Sequence, residues 1–120
     1  MPAMETPICD FGWKAVEFAL KGTEGETYRL PEVAGPKGTL LLFICNHCPY
    51  LRAVIDRIVE DARALLAVGI GVAAIMPIDT DAYPADGFDR MREFAEEHRF
   101  PFPYLFDETQ LVARAYDAVC

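Results

Sequence analysis

The sequence predicts an α/β fold, and three features of its patterning carry the prediction. Two runs, TLLLFI at 39–44 and IGVAAIM at 70–76, are apolar on both faces, the pattern of strands covered above and below. Between them, apolar residues recur at Leu51, Val54, Ile55, Ile58, Val59, Ala62, Leu65 and Leu66, a three-then-four spacing that draws one stripe on a helix. Arg52, Asp56, Arg57, Glu60, Asp61 and Arg63 fall on the opposite side. A strand, a helix and a second strand at this spacing form a right-handed crossover, so the two strands run parallel.

The 120 residues suffice for one domain with a real core, divided into an N-terminal extension at 1–38 and a core at 39–120. Residues 1–15 have no clear periodicity. Val16 to Leu20 and Thr27 to Leu30 are strand-like pieces around KGTEGE, which predicts an N-terminal hairpin. Pro31 to Gly38 holds two prolines and two glycines and reads as a loop with one helical turn. Thr39 to Ile44 is expected at the centre of the sheet. Pro49 fits the first turn of the following helix, where a missing N–H costs nothing, and Gly69 is placed to stop it. Asp86 is expected to cap a helix whose buried side includes Phe88, Met91, Phe94 or Ala95, and His98. The prolines of FPFP end that helix, and Tyr104 to Phe106 forms a short third strand. Asp107 and Gln110 resemble a capping box ahead of Leu111, Val112, Ala115 and Tyr116.

Nineteen acidic against eleven basic residues leave a net charge of −8, with no basic stripe to neutralise phosphates, so nucleic acid is excluded as a partner. The acidity of Asp56, Glu60, Asp61, Asp79, Asp81, Glu93, Glu96 and Glu97 reads as a solvated, self-repelling surface. The longest apolar run is far shorter than a membrane span and no basic-then-apolar leader opens the chain. The expected setting is cytoplasmic, without a membrane partner. In a reducing cytosol, closely spaced cysteines are catalytic or metal-binding rather than structural. Of Cys9, Cys45, Cys48 and Cys120, the close pair is Cys45 and Cys48, in FICNHCPYLRAV.

That stretch admits a redox disulfide, a metal site or a peroxide-reducing thiol. Disulfide exchange needs one accessible thiolate to attack and a second thiol to displace the mixed disulfide, and CxxC spacing supplies both. Cys45, at the carboxyl end of a strand and the start of a helix, is expected to face unpaired N–H groups that lower a thiol pKa. Cys48 is expected inside the first turn, where partners three residues apart lie about 5 to 6 Å from each other between Cβ atoms, within the reach of a disulfide. Asn46, His47 and Pro49 are candidate tuning residues; a protonated His47 favours thiolate and raises the potential above that of ordinary thioredoxin. For metal, Cys45, His47 and Cys48 with Cys9 or Cys120 supply four N/S ligands for zinc. The remaining cysteines are isolated, whereas such sites usually pair two clusters.

The stretch FICNHCPY, with TPICDFGW and LKGTEGETYRL before it and IGVAAIM and FPFPYLFDETQLVARAYDAVC after it, resembles the thioredoxin superfamily. It is most similar to the redoxin branch, the alkyl-hydroperoxide-reductase and thiol-specific-antioxidant-like proteins, over nearly the whole chain. The resemblance implies a thioredoxin-like fold and a thiol–disulfide oxidoreductase with Cys45 attacking and Cys48 resolving. It implies no cofactor beyond the cysteines, a protein or small-molecule disulfide or thiol as substrate, and peroxide as a second candidate. In relatives of this type the segment matching DAVC continues into Thr-Pro, with a cis proline facing the cysteines, then two strands and a helix. The expectation is a domain lacking its C-terminal ββα portion, a non-catalytic fragment for want of that region, or a homo-oligomer that covers the open sheet edge beside Thr39 to Ile44. Cys120, next to that proline by the resemblance, is a candidate third thiol.

Other departures are specific. Ile44 stands where thioredoxins have tryptophan, and the strand from Thr39 to Ile44 carries no carboxylate to take the Cys48 proton. Cys48-Pro49 resembles the cysteine-proline step of peroxiredoxins, yet their Pro-x-x-x-Thr-x-x-Cys pattern is absent: Cys45 holds the Thr position and Leu41 the Pro position. His98 reads as a packed or surface histidine, Asp79 and Asp81 as a solvated loop, and Cys9 as a small buried hydrophobe. Phe11, Trp13 and Phe18 read as packing under the hairpin.

Overall fold

The structure, a computed structural model, describes residues 11–81 and 83–118. Its elements are β1 (Ala19–Gly22), β2 (Thr27–Arg29), α1 (Leu30–Val33), β3 (Gly38–Phe43), α2 (Pro49–Ala67), β4 (Ile70–Met76), α3 (Phe88–Glu97), β5 (Tyr104–Phe106) and α4 (Leu111–Ala115), with a 3-10 turn at Pro84–Asp86. The five strands form one sheet in the order β2-β1-β5-β4-β3. β3, β4 and β5 are parallel, and β1 pairs antiparallel with both β2 and β5.

Alternation along β4 builds two cores. Val72, Ala74 and Met76 face a cluster with Ile55, Val59 and Ala62 of α2 and with Met91 and Phe94 of α3. Ala73 and Ile75 point the other way, toward Phe18, Val33 and Leu105, with Val112 and Tyr116 packed alongside. Every residue from Gly71 to Met76 is buried, as a strand covered on both faces requires. Gly71 is fixed by close approach: a Cβ there would collide with the Val33 carbonyl oxygen and the Gly35 nitrogen, which lie against β4.

The hairpin, the α1 turn, the β3–α2–β4 crossover and β5 follow the sequence pattern, with strand ends shifted by a few residues. Pro49 is the first residue of α2, and Gly69, at φ +92°, follows its C-cap.

Several expectations are corrected. β3 is the edge strand rather than the central one its apolar run suggests, with the open side that the resemblance implied; its one partner among the described residues is β4, and Leu40 remains 37% exposed. A doubly apolar run reports cover above and below, not neighbours on both sides, and here even the cover reaches only the second half of the strand. Cys48 is the N-cap of α2, one residue ahead of the first turn. Gly87, not Asp86, precedes α3, and Asp86 makes no cap bond to it. The Asp107 carboxylate accepts the N–H groups of Val112 (3.3 Å) and Ala113 (2.8 Å), but Gln110 is left-handed at φ 60° and donates to the Glu108 carbonyl, so no capping box closes. Ala113 is the buried residue of α4, while Leu111 is exposed. Phe11 is almost wholly exposed; Trp13 is half-exposed, edge-on to Tyr116 at 5.5 Å, and Phe18 alone of the three is buried. Cys9 and Cys120 lie outside the described residues. No helix among the described residues is long and apolar enough to cross a membrane.

Candidate active site

β3 delivers its chain directly into the cysteine loop. Ile44 N–H still bonds the Ile75 carbonyl at 2.9 Å, extending the ladder by one residue. Cys45, Asn46 and His47 then turn the chain, and Cys48 caps α2, its carbonyl accepting the Arg52 N–H at 3.0 Å. Both thiols are free, and both are buried, Cys45 at 3% and Cys48 at 8% exposure.

Asp86 holds this loop from the far side. The 3-10 turn after β4 carries the residue to the cysteines, and its carboxylate has no exposure at all. One oxygen accepts the N–H of Asn46 at 2.6 Å and that of His47 at 3.2 Å. The other oxygen faces His47 Nδ1, which fixes the ring proton on Nδ1 when His47 is neutral. The His47 ring stacks on Tyr83, with centroids 5.2 Å apart and planes at 3°. The buried Tyr104 hydroxyl donates to Asn46 Oδ1 at 2.7 Å. Arg52 Nη1 donates to the Asn46 carbonyl at 2.9 Å while its guanidinium lies over Phe94, 5.2 Å from the ring centre. Side chains from α2, β5 and the turn before α3 thus tie one tight loop.

Electrostatics run against the expected low thiol pKa. Burial pushes the Cys45 thiol up to about 11; the charges of Asp86 and Cys48 add to this, and the N–H groups of Cys48 and His47 pull only partly back. The loop amides do point at the sulfur, but removing the thiolate from water outweighs them. Tyr104 is held well above its ordinary range by burial, then by the Asp86 and Cys45 charges, so it stays a hydrogen-bond donor.

Both cysteines line an apolar cleft of about 330 Å³ at the carboxyl ends of β3 and β4. Its walls include Phe43, Ile44, Leu51, Pro77, Ile78 and the inner face of α4 at Ala113. This is where ligands bind in open α/β sheets.

Of the residues singled out from sequence, Cys45, Asn46, His47 and Cys48 come together, with Pro49 starting the helix behind them. His98 lies apart, at the C-cap of α3, where Nδ1 meets Asp56 at 2.9 Å. Asp79 and Asp81 form the expected loop, the Asp81 N–H bonding Asp79 Oδ1 at 3.0 Å. Asp86, Tyr104, Tyr83 and Arg52 were missed as site residues. Only Asp86 leaves a signal: an acid between Pro84 and Gly87, in the loop leaving the carboxyl end of a buried strand.

Residues 11–120 match the profile of the AhpC/TSA family. The chain belongs to the AhpC/TSA family. Among solved structures, this AhpC/TSA protein is similar to an uncharacterized conserved protein from Geobacillus kaustophilus, with TM-score 0.96, 42% identity, and coverage of 100% of this chain and 64% of that one. A hypothetical protein from Sinorhizobium meliloti gives TM-score 0.88 at 29% identity, over 96% of this chain and 63% of that one. The peroxidoxin BcpB from Mycobacterium tuberculosis gives TM-score 0.70 at 24% identity, over 88% of this chain and 64% of that one. The fold is thioredoxin-like, and the chain spans a little under two thirds of the length of these structures. No curated protein matches it.

Proposed function

We propose that this AhpC/TSA-family protein exchanges thiols and disulfides through Cys45 and Cys48. The observation that carries the reading is that two free thiols, three residues apart, open onto one apolar cleft at the carboxyl ends of two parallel strands. Cys45 attacks one sulfur of a substrate disulfide, forming a mixed disulfide and releasing the other sulfur as a thiol. Cys48 then attacks Cys45 Sγ, which frees the second substrate thiol and leaves a Cys45–Cys48 disulfide. Two electrons pass from the protein dithiol to the substrate, and each step reverses when the substrate is a dithiol. No cofactor beyond the cysteines enters the scheme.

The Cys45 proton needs an acceptor, because a thiol titrating at about 11 is neutral at physiological pH. His47 is the adjacent base, and Asp86 holds its ring and stabilises the imidazolium that forms. The apolar walls suit an extended peptide or a small organic disulfide as partner.

Peroxide reduction is the second reading, favoured by one observation: Cys48, the more open thiol, caps the N-terminus of a 19-residue helix and is followed by Pro49. There Cys48 sulfur takes one peroxide oxygen to become sulfenic acid, releasing an alcohol or water, and the Cys45 thiol condenses with it to the disulfide, releasing water. Trapping separates the two. With glutathione disulfide, Cys48→Ser is expected to accumulate glutathione on Cys45, and Cys45→Ser to remain unmodified on that timescale. Trapping on Cys48 alone overturns the assignment, and rapid hydrogen peroxide consumption by Cys45→Ser establishes the peroxidase.

A further inference from the structure

We infer that the reduced site is also a divalent-metal site, with Cys45 Sγ, an imidazole nitrogen of His47 and a carboxylate oxygen of Asp86 as its three protein ligands and zinc as the preferred ion. One donor atom from each residue lies within 4.8 Å of the other two. In a tetrahedral zinc site, with bonds of about 2.0 to 2.3 Å, neighbouring donors stand about 3 to 4 Å apart. The three face one point, and the His47–Asp86 hydrogen bond must open for both side chains to ligate the same ion there.

The donor set is that of a zinc site with an open position. Sulfur, imidazole nitrogen and carboxylate oxygen together match a borderline-soft ion better than magnesium or calcium, which take oxygen ligands. Three protein ligands leave a fourth place for water or substrate. Cys48 does not belong to the convergent set, although it is the nearer residue in sequence to His47.

The carboxylate is the second, independent observation. Asp86 is completely buried, and its one ion-pair partner among the described residues is His47. Its Oδ1 is oriented by two backbone N–H groups, the outer-shell arrangement that fixes a ligating carboxylate, while Oδ2 faces the imidazole. Tyr83 stacking holds the His47 ring in place. A cation seated here neutralises a charge that burial otherwise leaves to a single imidazole.

Binding requires the Cys45 thiolate, so a metal and a Cys45–Cys48 disulfide exclude each other: a bound ion stores the site in its reduced form. The inference stands independently of the exchange reaction, since it needs only reduced Cys45. Cobalt(II) titration of the reduced protein, followed by displacement with zinc, tests it. The expected result is one equivalent bound, a sulfur-to-cobalt charge-transfer band and four-coordinate visible bands, all reversed by zinc and absent from the oxidised protein. Cys45→Ser should lose the charge-transfer band, Cys48→Ser should keep it, and Asp86→Asn and His47→Gln should each weaken binding by more than about 10-fold. His47→Gln is the control for folding, because its half-buried ring leaves the backbone bonds to Asp86 in place. Affinity unchanged in Cys45→Ser and His47→Gln, or loss of the band in Cys48→Ser, overturns the ligand set. Exchange activity with no cobalt band overturns the metal site alone, and the band without exchange overturns the proposed reaction alone.

Discussion

Two histidine–aspartate pairs join the elements around α2 and α3, one at each end, and they are built in opposite senses. In His47–Asp86 the carboxylate is inside, with 0% side-chain exposure, and the ring is 28% exposed. In His98–Asp56 the ring is the inner member at 16%, and the carboxylate is 84% exposed. An exposed carboxylate is solvated whether or not its histidine stays, so the second pair is a surface clasp. A buried carboxylate has no water to return to, so the first pair commits the loop to one arrangement. Identical residue types thus give a packing contact at one end and the support of the cysteine site at the other.

The sharpest way to break the contrast is Asp86→Ala. It strands two backbone N–H groups and the His47 ring, and denaturant unfolding should show a loss of about 3 to 5 kcal/mol, the scale for one partner removed from a buried pair. If the carboxylate is not the anchor, the loss falls to that of a surface residue. Reduced protein should next show a steeper loss of stability with rising pH than the oxidised form, the difference being the Cys45 contribution. The folded Cys45 pKa lies near 11 against 9.0 for the free group, so the unfolded chain ionises first. That part of the stability is present below pH 9 and is lost as pH rises through 11, seen as a urea midpoint that falls more steeply in reduced protein than in Cys45→Ser, where only the raised tyrosines contribute.

Tyr104→Phe removes one buried hydrogen bond from the loop and should cost about 1 kcal/mol, with a faster rate of Cys45 alkylation as the loop loosens. Smallest of all is Asp56→Asn, whose effect on the unfolding midpoint should lie within the range of ordinary surface substitutions. A large effect there would erase the distinction between the two pairs.

The sequence exposes what is set locally. Leu51 to Leu66 shows its stripe, and β4 its two apolar faces, because periods of 3.6 and 2 are written in neighbouring residues. Position within the sheet is not local: the apolar run alone reads β3 as central, and only the resemblance points to its open edge. Asp86 reads as a helix cap for the same reason: a carboxylate just before an amphipathic segment has a local task, while its real partners lie 39 and 40 residues away. The cysteines are legible by spacing, but the Cys45 pKa is not. Dipole and amides are sequence-near and point downward, whereas the burial that overrides them is a tertiary property that no local pattern records.

Gly71 touches neither cysteine, yet its seat against Val33 and Gly35 reaches into how the protein can vary. The backbone on the other side of the contact cannot rotate away as a side chain would, so even a methyl group at residue 71 has no room. A saturation library scored for soluble expression should therefore retain only glycine codons at this position, alanine excluded. Neighbouring Val72 and Ile70 should accept other β-branched residues. The least permissive address in such a map would fall on a strand whose part in the chemistry is only to be there.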